Sequence, residues 1–369
     1  MKPKIVFTVI NDLTSDQRMQ RICRTLSEEE FEITLVGRRL RGSAKLEQFS
    51  FNVKRLNCFF NRGFLFYLEY NFRLFIYLFR SKPDILGAVD ADTFLAHYFT
   101  ALLLKKPIVF DAHEFFSQVP EVLGRSFVQK IWERIEILAF NKSEIVYTVG
   151  EGLAKIFAEK FKKSVEVVRN LPEREHFNLS VPRNIQKKII LYQGALNLGR
   201  GLENAIQAMQ WIDAELHIIG KGDIENELKI LVKKLDLNHK VKFLGFKRPV
   251  ELKEISRTAF IGYNVSENLG LSYYFSLNNK FFDYVQASLP SVINDFPEYR
   301  RYNEETEVGI LIKDSSPESI AKACNELLNN RDLYFRLKEN CLIAAKKWCW
   351  ENESPKLIAL YKKVIAKNS

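Results

Sequence analysis

Ile189-Ile-Leu-Tyr192-Gln-Gly194-Ala-Leu-Asn-Leu-Gly199-Arg200-Gly201-Leu-Glu203 reads as a buried strand, a glycine turn and the first turn of a helix. Short β-branched runs that end in a turn and give way to an amphipathic helical pattern are the unit of a parallel sheet covered by helices. Working outward, the same unit recurs along the whole chain. Strands are predicted at 5–10, 32–36, 84–89, 108–111, 145–148 and 165–168, with helical patterns at 16–28, 64–80, 92–104, 127–141 and 152–161. The alternation restarts at 189–192 and continues with strands at 215–219, 242–244, 259–263, 291–293 and 309–312. The accompanying helices are predicted at 202–209, 224–235, 250–257, 280–287 and 317–328, and two more follow Arg331, the last at about 355–366.

Between the two series periodicity is lost and prolines and charges gather, which predicts a linker. The expected division is 1–172, a linker at 173–187, 188–345, and a terminal segment at 346–369. The fold class expected is α/β, with two Rossmann-like, doubly wound halves facing a cleft. In such sheets ligands sit beyond the carboxyl ends of the strands.

The formal net charge of +10 favours anionic partners: phosphates, anionic lipid or nucleic acid. No nucleic-acid module signature is present, so a nucleic-acid partner is not expected. The five cysteines are scattered and never form a C-x-x-C, which fits a reducing, cytoplasmic location and neither a disulfide framework nor a zinc site. The first apolar run is too short for a signal peptide, and no run approaches the roughly 20 apolar residues of a membrane-spanning helix.

Two glycine-bearing strand exits each carry a cation. Gly194, Gly199 and Gly201 surround Arg200, at the start of a helix where exposed amides and the dipole favour an anion. The second exit is Glu267-Asn-Leu-Gly270-Leu-Ser272 followed by Asn278-Asn-Lys280-Phe-Phe-Asp283. Lys280 in a first helical turn opposes the dipole, and a bound polyanion explains it better than stability does. Cations with bare amides suit a pyrophosphate, and a carboxylate suits ribose hydroxyls. The expected ligand is a nucleoside diphosphate held by Gly194, Gly199, Arg200, Gly220, Gly270, Leu271, Ser272, Lys280 and Asp283, although Gly220-Lys221-Gly222 also has an ordinary reading as a strand–helix turn.

In the first half, Phe110-Asp111-Ala112-His113-Glu114 puts a histidine just beyond a strand, and His113 is a candidate active-site residue. His97, His176, His217 and His239 lack such a setting. Asp90-Ala91-Asp92 resembles a metal-holding D-x-D but reads as a strand end plus helix N-cap with one acid toward the acceptor, and no metal is expected. Residues 37–62 are basic and 64–80 densely aromatic, which fits either a core helix beside a basic loop or a face lying on an anionic membrane.

Taken in order, these segments resemble glycosyltransferase family 4, with the GT-B fold, over nearly the whole length. The resemblance rests on Asn11-Asp12 … Arg18, Asp111-Ala-His113-Glu114, Arg169-Asn170-Leu-Pro172, Gly199-Arg200-Gly201, and above all Glu267 … Lys280-Phe-Phe-Asp283 … Pro290 with Asp295-Phe-Pro-Glu298. It implies a retaining, metal-independent transfer from a UDP or GDP sugar, with no other cofactor, to a glycan or lipid-linked hydroxyl in surface polysaccharide or glycolipid assembly. By position, Arg200 stands for the family's diphosphate lysine, Glu267 and Asp283 for the two acids of its E-x7-E motif, and His113 for the histidine near the transferred sugar. The catalytic set implied is His113, Glu267, Arg200 and Lys280. The terminal helix, with Trp348 and Trp350, would cross back to the first domain. Three departures stand out: the acids lie sixteen positions apart, Ala195 replaces a common arginine, and Ser288 replaces a frequent glycine. A 2-epimerase of the same layout and a catalytically degenerate, membrane-docked subunit are the alternatives.

Overall fold

The computed structural model describes residues 2–14, 16–43, 45–46, 48–119, 122, 124–175 and 188–368. It divides into two compact units, Met1–Asn170 with Glu353–Ser369, and Leu171–Asn352. Most of the predicted linker (176–187), and His176 with it, lies outside the described residues.

The first unit is built on seven parallel strands: β1 Lys4–Thr8, β2 Glu32–Arg38, β3 Asn52–Leu56, β4 Ile85–Val89, β5 Ile108–Asp111, β6 Ile145–Thr148 and β7 Glu166–Val167. Their order is β3-β2-β1-β4-β5-β6-β7. The central strands are apolar without alternation and buried, as strands covered on both faces must be. The terminal helix Trp350–Asn368 gives this unit its Glu353–Ser369 portion, where the buried Tyr361 ring meets Phe7 edge-on at 5.6 Å.

The second unit repeats the plan with β8 Ile189–Gln193, β9 Glu215–Ile219, β10 Val241–Gly245, β11 Ile261–Asn264, β12 Ser291–Asn294 and β13 Gly309–Ile312, in the order β10-β9-β8-β11-β12-β13. In each sheet the order reverses beside the first strand, at β1/β4 and at β8/β11. The crevice at that reversal is where an open parallel sheet accepts a ligand.

The helix Asn279–Gln286 crosses this region with Phe281, Phe282 and Val285 packed on Tyr299, Tyr302 and Trp348. Each such buried aromatic contributes about 1.5–3 kcal/mol, enough to hold the helix and its two charged residues, Lys280 and Asp283, in one place. The helix ends in a Schellman motif: Leu289 N–H donates to the Tyr284 carbonyl and Ser288 N–H to that of Val285. Ser288 takes the left-handed conformation (φ 51°) that glycine ordinarily fills there.

Besides the short 3-10 turns Phe116–Gln118 and Met209–Trp211, three elements were not predicted. Strand β3 is a half-exposed edge whose Lys54 and Arg55 make it read as basic loop. The helix Pro297–Glu305 buries Tyr299 and Tyr302 but is so polar that its periodicity is hidden. A short helix, Leu271–Tyr274, occupies the extra residues between the two acids. The predicted N-cap at Asp92 is a correction: Thr93 caps the helix Phe94–Leu104.

Candidate functional site

In the second unit Tyr192, next to the last residue of β8, is buried, with its hydroxyl donating to the Ala195 carbonyl at 2.6 Å. Gly194 follows at φ 143°, Gly199 at 80° and Gly201 at 65°, all in the region that side chains avoid. Space is also short. A Cβ on Gly199 would lie 2.4 Å from Leu269, and one on Gly220 1.8 Å from the Gly194 carbonyl oxygen. The glycine at 220 is therefore required by strand ends that pack backbone to backbone.

Lys280, in the first turn of its helix, points back at β8. Its Nζ lies 4.1 Å from the centre of the Tyr192 ring, and the residue is only 7% exposed. Among the described residues it has no ion-pair partner. Burial, and then the neighbouring Arg200 charge, hold its pKa well below the usual lysine value. The half-buried Arg200 stacks on Tyr273, 5.0 Å to the ring centre, and donates weakly to Asn278 Oδ1 at 3.4 Å, while its Nε is buried without an acceptor. Two cations thus converge where no carboxylate neutralises either, an arrangement that is costly unless an anion completes it.

The acids stand around this pair. Asp283 accepts from Gln193 Nε2 at 3.1 Å, which places its carboxylate at the exit of β8. Glu267 follows β11, and its N–H donates to the Gly199 carbonyl at 2.9 Å, joining the two glycine-bearing exits. Partial burial, and then the charge of Glu203, raise its pKa. Gly270 (φ 122°) turns the chain into the helix Leu271–Tyr274, whose first amides, from Leu271 and Ser272, have no acceptor within the helix. The structure therefore gathers Arg200, Lys280, Glu267 and Asp283 with the glycine turns about the β8/β11 reversal.

Sequence reasoning missed Tyr192, Glu203, Tyr273 and Asn278. Tyr192 looked like strand core and Glu203 like part of a helix start, and only tertiary packing sets the first against Lys280 and the second near Glu267.

His113 lies in the other unit, just after β5. Its Nδ1 is 3.1 Å from Asp90 Oδ2, at ion-pair distance but off the line of a well-aligned hydrogen bond. Asp90 directly follows β4, is buried, and sits in the left-handed region (φ 55°) with its N–H on the Asp111 carbonyl at 2.9 Å. Asp111 is gripped by Arg18 through Nη2 at 2.9 Å to both carboxylate oxygens. Burial, then the charges of Glu114, Asp92 and Asp111, raise the Asp90 pKa well above the ordinary range, and burial with Glu114 pushes Asp92 up to about 8. The histidine is thus set beside Asp90 in a cluster of carboxyl groups. His97 is a core residue, bonded to Thr8 at 2.6 Å and held neutral by burial.

The model of the glycosyl transferases group 1 matches residues 173–346, and that of glycosyltransferase family 4 matches 17–171. An uncharacterized glycosyltransferase of Methanocaldococcus jannaschii is 27% identical over 201 residues, which is 52% of this chain. The chain spans about half the length of the curated relatives it matches, 48% and 59%. Sucrose-phosphate synthase of Thermosynechococcus elongatus superposes with a TM-score of 0.81 at 14% identity, over 99% of this chain and 100% of that one. Anabaena HepE, solved with UDP and glucose, does so with a TM-score of 0.77 at 13% identity, over 99% and 100%. At these identities the superpositions speak for the fold alone.

Proposed function

Because the chain belongs to the family-4-like glycosyltransferases of the GT-B fold, we propose that it moves a sugar from a UDP or GDP sugar to a hydroxyl of a glycan or lipid-linked acceptor, with retention of configuration and without a metal. The observation that carries this reading is the convergence of Arg200 and Lys280, without a carboxylate partner, at the glycine turns of the β8/β11 reversal. HepE, of like fold, was solved with UDP and glucose, which supports a nucleotide-sugar donor.

In the reaction, the bond from the sugar's anomeric carbon to the diphosphate oxygen breaks as a bond to the acceptor oxygen forms on the same face. The acceptor's proton passes to the departing diphosphate. Arg200, Lys280 and the amides of Leu271 and Ser272 stabilise the charge that grows on that diphosphate. Asp283 holds the ribose hydroxyls, Glu267 the sugar, and His113 contacts the sugar being transferred. The cations supply the positive charge for which other sugar transferases use a divalent ion, so turnover should persist in chelator. The setting proposed is surface polysaccharide or glycolipid assembly, in the cytoplasm or on the inner face of a membrane.

The test is a panel of UDP and GDP sugars, scored by thermal shift and by nucleotide release, on the wild type and on Arg200→Ala and Lys280→Ala. Stabilisation by one donor class, lost in both variants, is expected. Equal donor affinity and turnover in all three proteins would overturn the assignment.

A further inference from the structure

The helix Gly63–Ser81 carries two apolar lines. Phe66, Tyr70, Leu74 and Leu78 form the line that enters the core. Phe64, Leu68 and Phe72, spaced by four residues on another side, are 72%, 57% and 63% exposed. The adjoining helix Phe94–Leu104 contains no charged residue, its buried His97 being neutral, and it exposes Phe99, Leu102 and Leu103. Between the two helices runs a groove of about 410 Å³ with apolar walls from Leu68, Phe72, Phe75, Leu95, Phe99 and Leu103. The loop before the first helix adds Phe59, the most exposed large apolar side chain among the described residues (84%). Isolated exposed apolar side chains are ordinary, whereas an apolar groove between two helices flanked by a line of exposed rings marks an interaction surface.

Charge identifies the occupant. Residues 37–82 hold ten Lys or Arg and two Glu, leaving 45 cations and 43 acids for the remainder of the chain. The excess of positive charge is therefore local to this segment. Arg62 precedes the first helix, Arg80 lies in its last turn and Lys82 caps it, while Arg73, over the Phe59 ring at 5.4 Å, is paired with Glu69 at 2.7 Å and adds no net charge. A second copy seated on the same face would bring its own excess of cations against this one, which costs binding energy. An apolar face rimmed by cations is complementary to an anionic bilayer, with the rings among the acyl chains and the cations at the headgroups.

We infer that the helices Gly63–Ser81 and Phe94–Leu104, with the loop around Phe59, form a face that docks this protein on an anionic lipid surface. This goes beyond the transferase reading and does not rest on it.

The test is flotation of the full chain with vesicles of phosphatidylcholine mixed with phosphatidylglycerol, and with phosphatidylcholine alone. The proteins are wild type, Phe64→Ser/Leu68→Ser/Phe72→Ser, and Arg62→Glu/Arg80→Glu, with far-ultraviolet circular dichroism to verify folding. Wild type should bind the anionic vesicles and be released by high salt, and each variant should bind about tenfold or more weakly. Wild-type binding absent, indifferent to phosphatidylglycerol, or unchanged in the folded variants would overturn the inference. So would a wild-type dimer in sedimentation velocity that the triple serine variant dissolves, because the face would then serve a second copy. Nucleotide-sugar binding, measured on the same samples without vesicles, reports separately on the donor site.

Discussion

The two sheets share a strand order, a parallel register and a reversal beside the first strand, yet what they place at that reversal is opposite. After β8 and β11 the chain gathers Arg200 and Lys280, with glycine turns and a lysine whose charge is disfavoured by burial. After β4 and β5 it gathers Asp90, Asp92, Asp111 and Glu114 about His113, and the charge of Asp90 and Asp92 is disfavoured by burial. One crevice is short of an anion and the other rich in acceptors. In the proposed reading the same backbone plan would serve a diphosphate in one unit and hydroxyl groups in the other, the difference lying in the few side chains at the strand exits.

Neutralising the cationic crevice is the largest expected break in this contrast. Lys280→Met keeps length and burial but removes the charge, and turnover should fall by about 10²–10³-fold, the usual loss when one stabiliser of a developing anion is deleted. The ligand-free protein should melt higher than wild type, because a buried cation without a partner has gone. Nucleotide release and differential scanning calorimetry read the two effects. Loss of activity together with a lower melting temperature would mean that Lys280 is structural.

The acidic crevice should respond more mildly. Asp90→Asn and His113→Ala are each expected to lower kcat by about tenfold to a hundredfold, the worth of one or two hydrogen bonds to charged groups. Affinity for the free nucleotide should stay at the wild-type value, since both residues belong to the first unit. If either variant loses nucleotide affinity instead, the division of labour between the units fails.

The pH dependence of stability sharpens the comparison further, because the two crevices have opposite signs. Lys280 has a folded pKa below its unfolded one, so between the two the unfolded chain binds more protons and stability rises with pH. Asp92 is raised from 3.8 to about 8, so in that window the folded chain binds more protons and stability falls as pH rises. Lys280→Met should therefore gain most over wild type at low pH, and Asp92→Asn should gain most above pH about 8. Melting temperatures of the three proteins across pH test this, and parallel curves would show that neither group is buried with its charge.

Much of this was legible from residue order. Strand runs closed by glycine and followed by an amphipathic helix announced both sheets, because covered parallel strands must be apolar throughout. Lys280 drew notice by opposing the helix dipole, and Asp283 as the acid that a ribose would need beside it. What stayed hidden depends on contacts between distant segments. Asp90 meets His113 across neighbouring strands, Tyr192 faces a lysine 88 positions later in the chain, and Pro297–Glu305 buries two tyrosines within a run of charges. Edge strand β3 was obscured by the cations that also mark its neighbourhood as a surface. No local periodicity encodes any of these.

The smallest expected effect separates strain that serves a site from strain that does not. Asp90 and Ser288 both hold left-handed backbone (φ 55° and 51°) without being glycine. A left-handed conformation costs a side-chain-bearing residue about 1–2 kcal/mol. At Asp90 the carboxylate reaches His113, so the conformation places a group beside the histidine proposed to contact the sugar. At Ser288 the hydroxyl is buried without a hydrogen-bond partner, and the residue closes a Schellman motif that glycine closes more cheaply. Ser288→Gly should therefore raise the melting temperature by about 2–4 °C and leave turnover unchanged. Asp90→Gly should lose activity even if relief of strain stabilises the fold. Thermal melts and nucleotide-release rates on the two glycine variants give the answer, and a loss of turnover in Ser288→Gly would move that position into the donor site.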